Sequence, residues 1–451
     1  NPAGSRLLPL YKDILKFYAD IQVDENNPKQ FTVITNGPNY KMVENTGGYI
    51  LPAYVYDRNE ILKNYAFSDF ADPEKSATLK DDAALVSLDS LFSSPEMTQT
   101  LTNVSGSGPY RFSEWNQNLD LTLTKKENWW GSKVQGIRPD FVHYPKSIRY
   151  EIIPDETAVI AKIKNGELDI ATTISGTAFE ELKKNPLVNE QYNFHSPSTL
   201  SSNYVGINNR VKKLSDPNVR KAISCLIDRP NLIKEVYAGY AEPQYGPIHS
   251  SYSYAVQDDA YSYNPEKAAD LLEAAGWKDT NGNGILDKQL DGQLEELKLT
   301  VLSTPTNTIV KQMLLIIQDD FRKAGLDIEL VTMEANQVGQ ARRKGEFELM
   351  TAGAGLDGSI YNPYQYWHTS SPYNFFGAGN GEIDSLIDQI MESVDEKERS
   401  ALFSKFQEML NENQYLVFLN SPTQRMVTHK RLKNLKITVQ RPNYLPNYAH
   451  L

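Results

Sequence analysis

The chain has 451 residues, with 46 Lys+Arg against 57 Asp+Glu and a net charge of −11. That length exceeds one ordinary hydrophobic core, so two or three domains are expected. The acidic balance argues against nucleic acid or an anionic membrane surface as the main partner.

In chain order, residues 5–22 read as an amphipathic helix, with Leu8, Tyr11, Ile14, Leu15, Tyr18 and Ile21 near one face. A strand is expected at Phe31–Ile34, closed by Asn36-Gly37-Pro38, and a polar helical region runs from Pro52 to about residue 100. Gly106-Ser107-Gly108-Pro109 is a turn cluster. After it, Leu119, Leu121 and Leu123 alternate with Asp120, Thr122 and Thr124 as a half-buried strand, behind a hairpin turn at Asn116-Gln117-Asn118. Arg149–Ile153, a helix capped by Asp155 and ended by Gly166, and Leu168–Ala171 read as a βαβ-like unit.

Residues 203–247 begin as an alternating strand. Asp216 then stands at an N-cap with Pro217 at the first helical position, and Val219, Ala222, Ile223 and Leu226 recur at helical spacing. Asp228-Arg229-Pro230 starts a second helix that ends at Gly239, and this stretch reads as the hinge between domains. Cys225, the one cysteine, lies on the apolar side of the first helix and reads as a small buried core residue.

Beyond it, Asn264-Pro265 opens a helix closed by Gly276. Strands at Leu297–Val301 and Asp327–Met333 flank an amphipathic helix, Ile309–Ala324, as a second βαβ unit. A strand through Phe347, Leu349 and Thr351, helices near 382–393 and 397–411, and a strand at Tyr415–Leu419 complete an α/β chain with two open mixed sheets. No run of apolar residues is long enough to span a membrane. The opening Asn1-Pro2-Ala3-Gly4 carries no leader pattern, so an export signal or lipid anchor is expected outside these residues.

In open α/β sheets, ligands bind beyond the carboxyl ends of strands. Here those ends are the small polar loops Thr172–Thr177, Ser303–Thr308 and Gly353–Asp357. Thr173, Ser175, Thr304, Asn307 and Gly355 are the candidates they contribute, and two such floors facing across a hinge would make a clamshell.

Several motifs carry a resemblance. They are Gly106-Ser107-Gly108-Pro109-Tyr110-Arg111-Phe112 with Asn128-Trp129-Trp130-Gly131, then Gly166-Glu167-Leu168-Asp169-Ile170. Asp216-Pro217-Asn218-Val219-Arg220-Lys221-Ala222-Ile223 with Ile227-Asp228-Arg229 follows, then the runs Asn264–Trp277 and Lys323–Ile328. In order and spacing they cover about residues 50 to 435, and through them the chain resembles the family 5 extracellular solute-binding proteins. This is the dipeptide/oligopeptide-binding group serving ABC transporters.

The resemblance implies a periplasmic-binding-protein-like clamshell of type II, dipeptide-binding-protein-like, with helices on both faces of its sheets. On that pattern residues 1–51 belong to the small domain II and its connection, 52–208 to domain I, 209–414 to domain III, and 415–451 return to domain I. The family also implies more chain ahead of residue 1. The implied role is the substrate-binding component of an ABC importer, capturing short peptides and presenting them to the permease. Oligosaccharides, nickel chelates and other solutes are alternatives, as is a peptide-sensing receptor that does not transport. A monomer is expected, in the periplasm or on the outer face of the bacterial membrane, held there by a lipid anchor.

In peptide-binding members an Asp in the Gly-rich loop after this strand holds the ligand's α-amino group. The matching residue is Asp357, although Leu356 intervenes in the Gly-Asp-x-x-x-Pro pattern and Pro363 stands further away. Tyr361, Tyr364 and Trp367 are candidates to wall the same cleft. Asp279, Asn281, Asn283 and Asp287 fall at positions 1, 3, 5 and 9 of a calcium-type loop with Gly284 at position 6, but Leu290 stands where a bidentate Glu is expected. No enzyme motif of the G-x-S-x-G, H-E-x-x-H or P-loop type occurs, and the six histidines are scattered, which suits surface or capping roles. No catalysis and no other cofactor is expected.

Overall fold

The computed structural model describes residues 18–27, 29–42, 51–98, 100–101, 104, 106–172, 174–304, 308–355 and 362–451. It divides into two compact units, one of residues 1–154 with 391–395 and 446–450, the other of 155–390 with 396–445 and 451. Among the described residues no helix is long and apolar enough to cross a membrane.

The first unit opens with a strand where a helix was expected. Tyr18–Val23 (β1) pairs antiparallel with Phe31–Thr35 (β2), while residues 5–17 of the expected helix lie outside the described residues. The physical reason is cross-strand pairing. Ile21 stands opposite Val33 and Val23 opposite Phe31, and such β-branched and aromatic pairs stabilise a ladder more than they stabilise a helical turn. The polar region that follows is helical, in short pieces between 53 and 98, with Asp72 and Asp82 capping two of them.

Tyr110–Asn116 (β3), Asp120–Lys125 (β4) and Ser147–Glu151 (β5) form an antiparallel sheet in that order. Two of the sequence motifs meet here. The indole N–H groups of Trp129 and Trp130 both donate to the Ser107 carbonyl, at 2.7 and 2.9 Å. A Cβ on Gly131 would lie 2.4 Å from the Trp129 ring, so only glycine fits behind that indole.

The helix Glu156–Lys164 has its expected cap, Asp155 accepting from the Thr157 N–H, and Gly166 turns the chain at φ +74°. The βαβ reading of this region does not hold. β5 belongs to the antiparallel sheet of the first unit, whereas Ile170–Ala171 (β6) pairs in the second. Ser147–Glu151 matches its hydrogen-bonding register to the long strand β4, and the two-residue β6 is too short to nucleate a parallel partner.

The second unit contains Tyr192–His195 (β7), Ser201–Ile207 (β8), Ala241–Pro243 (β9), and the hairpin Asp287–Leu290 (β10) with Gln293–Glu296 (β11). Lys298–Ser303 (β12), Asp327–Thr332 (β13), Leu349–Gly355 (β14), Leu416–Pro422 (β15) and Met426–His429 (β16) follow. Six of these strands make a mixed sheet in the order β13-β12-β14-β8-β15-β9, and β6-β16-β7 make a smaller one. β12 and β13 are parallel and joined by the helix Thr308–Lys323, as the second βαβ reading expected. β14 is parallel to β12, and β8 runs against both β14 and β15.

Residues 203–247, read as a passage between domains, lie within this one unit, with β8 at the middle of its largest sheet. Asp216 accepts from the Asn218 N–H at 2.8 Å and starts the helix Pro217–Cys225. Val219, Ala222 and Ile223 are fully buried with Cys225, packed with residues of the helices Arg229–Tyr237, Pro265–Ala274 and Thr308–Lys323 in one core. Each large aliphatic residue so buried contributes about 1.5–3 kcal/mol.

Candidate ligand-binding site

The parallel orientation of β12, β14 and β15 brings their carboxyl ends to the same edge of the mixed sheet. A cavity of about 430 Å³ lies there, entirely within the second unit. Ser303 and Thr304 leave β12 into it; Thr351, Ala352 and Gly353 line it from β14; Ser201, Asn203 and Tyr204 from β8. Leu419 and Pro422 come from β15, followed by Thr423, Gln424 and Arg425. The first turns of the helix Thr308–Lys323 supply Ile309, Val310 and Met313 as an apolar wall.

The polar side is held by hydrogen bonds. Asn203 donates its amide to the Tyr237 hydroxyl at 3.2 Å and to Asn420 Oδ1 at 3.1 Å. Thr199 Oγ1 lies 2.7 Å from Ser201 Oγ and donates to the Pro422 carbonyl at 2.5 Å. Burial pushes the Tyr204 hydroxyl up to about 12, against the opposing charge of Arg342, so the ring presents a neutral O–H. A Cβ on Gly353 would stand 3.0 Å from Asn203 Oδ1, so glycine keeps the strand surface open at this point.

Arg425 Nε donates to the Ile174 carbonyl at 2.7 Å and Nη1 to the Thr423 carbonyl at 3.3 Å. Burial lowers its pKa, with the Glu156 carboxylate acting in the opposite direction, and an arginine so placed remains charged. Gln424 donates its side-chain amide to the Thr172 carbonyl. The loop after β6 thus braces Gln424 and Arg425 from behind.

The residues named from sequence have different places. Thr304 lines the cavity, and Gly355 ends β14 opposite Ser201 without lining it. Ser175 caps the helix Gly176–Lys184 through Ala178, while its own N–H donates to Glu156. Tyr364 stacks on His368 at 4.4 Å, and Trp367 is 2% exposed, packed in the core edge-on to Phe406 and tilted against Phe418. Thr173, Asn307, Asp357 and Tyr361 lie outside the described residues.

Sequence reasoning missed Arg425, Gln424, Asn203, Tyr237 and Arg441, all of which line the cavity. The strand-end rule, applied to β15 as it was to β12 and β14, would have found Thr423–Arg425. His249, expected at the surface or as a cap, is buried, and its Nδ1 accepts from the Ser251 N–H at 3.2 Å. It is 1% exposed, with Nε2 3.0 Å from Ser421 Oγ and Nδ1 2.9 Å from Ser251 Oγ.

In the calcium-type loop the side chains bond to the loop's own backbone. Asp279 accepts from the N–H groups of Gly282, Asn283 and Gly284, Asn281 from that of Asn283, and Asn283 from that of Ile285. Asp287 is buried and accepts from Thr280 N and Oγ1, at 3.0 and 2.6 Å.

A family model, bacterial extracellular solute-binding proteins, family 5 Middle, matches residues 15–376. The chain belongs to this family. Among curated relatives of this family 5 protein, the oligopeptide-binding protein AppA of Bacillus subtilis is 26% identical over 347 residues, covering 75% of the chain and 60% of the relative. The glutathione-binding protein GsiB of Pectobacterium atrosepticum is 25% identical over 334 residues, covering 72% and 59%. The chain thus spans about 60% of the length of these curated relatives. The solved structure of B. subtilis AppA in complex with a nonapeptide superposes with a TM-score of 0.73 at 22% identity, covering 99% of this chain and 82% of that one. The family 5 protein therefore has the expected periplasmic-binding-protein-like α/β fold.

Proposed function

We propose that this family 5 protein is the substrate-binding component of an ABC importer that captures short peptides and hands them to the permease. The observation that carries the reading is the cavity at the carboxyl ends of β12, β14 and β15, where hydroxyls, an amide and open strand backbone face an apolar wall. That combination suits a peptide, whose backbone needs hydrogen-bond partners and whose side chains need apolar surface. Family membership and relatives named as oligopeptide- and glutathione-binding support the substrate class.

In this reading the protein binds and releases without covalent chemistry, acts as a monomer outside the cytoplasm, and is tethered by a lipid anchor. Asp357 supplies the carboxylate for the ligand's ammonium end, by its match to the family loop. The loop holding Asp279, Asn281, Asn283 and Asp287 is read as a polar turn, with a structural calcium that acts only on stability as the alternative.

The test is a thermal-shift screen against dipeptides, oligopeptides, oligosaccharides and nickel–histidine, with and without EDTA. A ligand at one hundred times its dissociation constant adds about 2.7 kcal/mol to stability. A peptide-specific shift, lost in Asp357→Ala, is expected. A shift with sugar or nickel chelate alone would overturn the substrate class, and an EDTA-insensitive melting temperature would remove the calcium.

A further inference from the structure

We propose that His249 is a positioning residue of the ligand site, which holds the Thr199 side of the cavity through Ser421 and makes ligand affinity fall in acid. The inference rests on the reading of this cavity as the ligand site and adds a control to it. Neither His249 nor Ser421 lines the cavity, and both are 1% exposed.

The donors and acceptors fix their own order. The Ser251 backbone N–H, 3.2 Å from Nδ1, can only donate, so Nδ1 accepts and the neutral ring carries its proton on Nε2. Nε2 then donates to Ser421 Oγ at 3.0 Å, and the Ser421 hydroxyl donates to the Thr199 carbonyl at 2.9 Å. Thr199 Oγ1 in turn donates to the Pro422 carbonyl and lies 2.7 Å from Ser201 Oγ. Thr199, Ser201 and Pro422 all line the cavity. The chain of hydrogen bonds runs one way, from the buried ring to the cavity wall.

A further proton has one place to go, Nδ1, where it meets the Ser251 N–H. The Ser251 hydroxyl, 2.9 Å from Nδ1, can turn to accept it, but the backbone N–H cannot turn and loses its acceptor. Ser421, Thr199 and Ser251 are neutral. Among the described residues the charge acting on the ring is Glu242, on β9 and the cross-strand partner of Ser421. Glu242 attracts an imidazolium, and its Oε1 already accepts from Ser198 Oγ, beside Thr199. Protonation therefore disturbs this segment twice, at Ser198 through Glu242 and at Thr199 through Ser421.

The sign follows from burial, which lowers the His249 pKa from 6.5 against the opposing Glu242 charge and Thr199 carbonyl. The neutral ring prevails above about 6.5, and the imidazolium accumulates as pH falls towards the lowered value. A ligand that needs the wall in place binds the neutral form, so proton and ligand oppose each other.

The experiment is calorimetric titration at pH 7, 6 and 5 with an equimolar tripeptide library free of Asp, Glu and His. The termini of such peptides keep their charges across that range. Wild type should bind about threefold or more weakly at pH 5 than at pH 7, as it would if about a third of the molecules kept the wall in place. His249→Gln keeps an N–H for Ser421 but does not titrate, and should hold its affinity between the two. Ser421→Ala keeps the histidine, cuts the chain and should show the same flat profile. A second measurement needs no ligand. Amide exchange, corrected for its intrinsic pH dependence, should show residues 198–201 and 421–424 less protected at pH 5 in wild type and equally protected in His249→Gln.

Equal wild-type affinity at pH 7 and pH 5, or a decline shared by His249→Gln, would overturn the inference and leave peptide capture standing. A decline that persists in Ser421→Ala would overturn the route through Ser421. If the library binds none of the three proteins, the peptide reading fails and the exchange result decides: loss of protection confined to wild type supports the role of His249, and its absence overturns it.

Discussion

The Arg229 guanidinium lies buried 3.0 Å from the Asp259 carboxylate. Its Nε donates to the Phe418 carbonyl at 2.7 Å and its Nη2 to Ser224 Oγ at 2.9 Å. One side chain thus ties the start of a helix to β15 and to the loop before Asn264. Arg229→Met should cost about 3–5 kcal/mol, because Asp259 keeps its charge and loses its partner. Urea unfolding checks this through a lowered midpoint at constant slope. A change below about 1 kcal/mol, the worth of an exposed pair, would show that the pair is solvated in solution.

Asp216 holds the N-terminus of the helix Pro217–Cys225, whose inner face is fully buried. Asp216→Ala should lower stability by about 1 kcal/mol, and Asp216→Asn by much less, since Asn also caps well. Equal losses from the two changes would mean that charge, not the cap hydrogen bond, is the contribution of Asp216.

Gly353→Val adds a side chain where a Cβ already lies 3.0 Å from Asn203 Oδ1 and 3.5 Å from the Ser202 carbonyl. The expected result is a fold that still unfolds cooperatively at a modestly lower melting temperature, with a ligand-induced thermal shift reduced or lost. Displacing the Asn203 amide costs about 0.5–1.5 kcal/mol for the rotamer and about as much for each of its hydrogen bonds to Tyr237 and Asn420. A normal ligand shift in this variant would place the ligand elsewhere.

His249 is a base whose pKa burial lowers from 6.5, with the Glu242 charge opposing. As pH falls, the unfolded chain takes up its proton first. Stability is therefore intact above the unfolded value of about 6.5 and declines as pH falls from there towards the folded value. Measured by urea unfolding between pH 8 and pH 5, wild type should lose more stability than His249→Gln. His143, His195 and His429 shift in the same direction and remain in both proteins, so the difference between the two isolates His249. Parallel curves would contradict the assignment.

The parts of the fold legible in sequence were those set by local chemistry. Asp155, Asp216, Asp228 and Asn264 all cap helices as read, because the cap is decided within three residues. Tyr18–Val23 was misread because its partner, Phe31–Thr35, decides its state. The βαβ reading at 149–171 failed for the same reason, since which sheet a strand joins is settled by chain far away. At the site, Thr304 was within reach of the strand-end rule, while Asn203 and Tyr237 face the cavity only through the pairing of β8 and the packing of its neighbour. Arg441 carries no local signal of any kind.

The position of β8 has a consequence for synthesis. Its two neighbours, β14 and β15, are supplied by residues 349–355 and 416–422, long after residues 201–207 have left the ribosome. Pairing across such separations is slow, and no partial chain can close the sheet. Val205, Gly206 and Ile207 are among the most buried residues of the finished protein, and each waits for partners not yet made. Translation stopped anywhere before Leu416 would release a product with a bare apolar β edge at the heart of its largest sheet. Such a fragment is a template for aggregation, not a shorter binding protein.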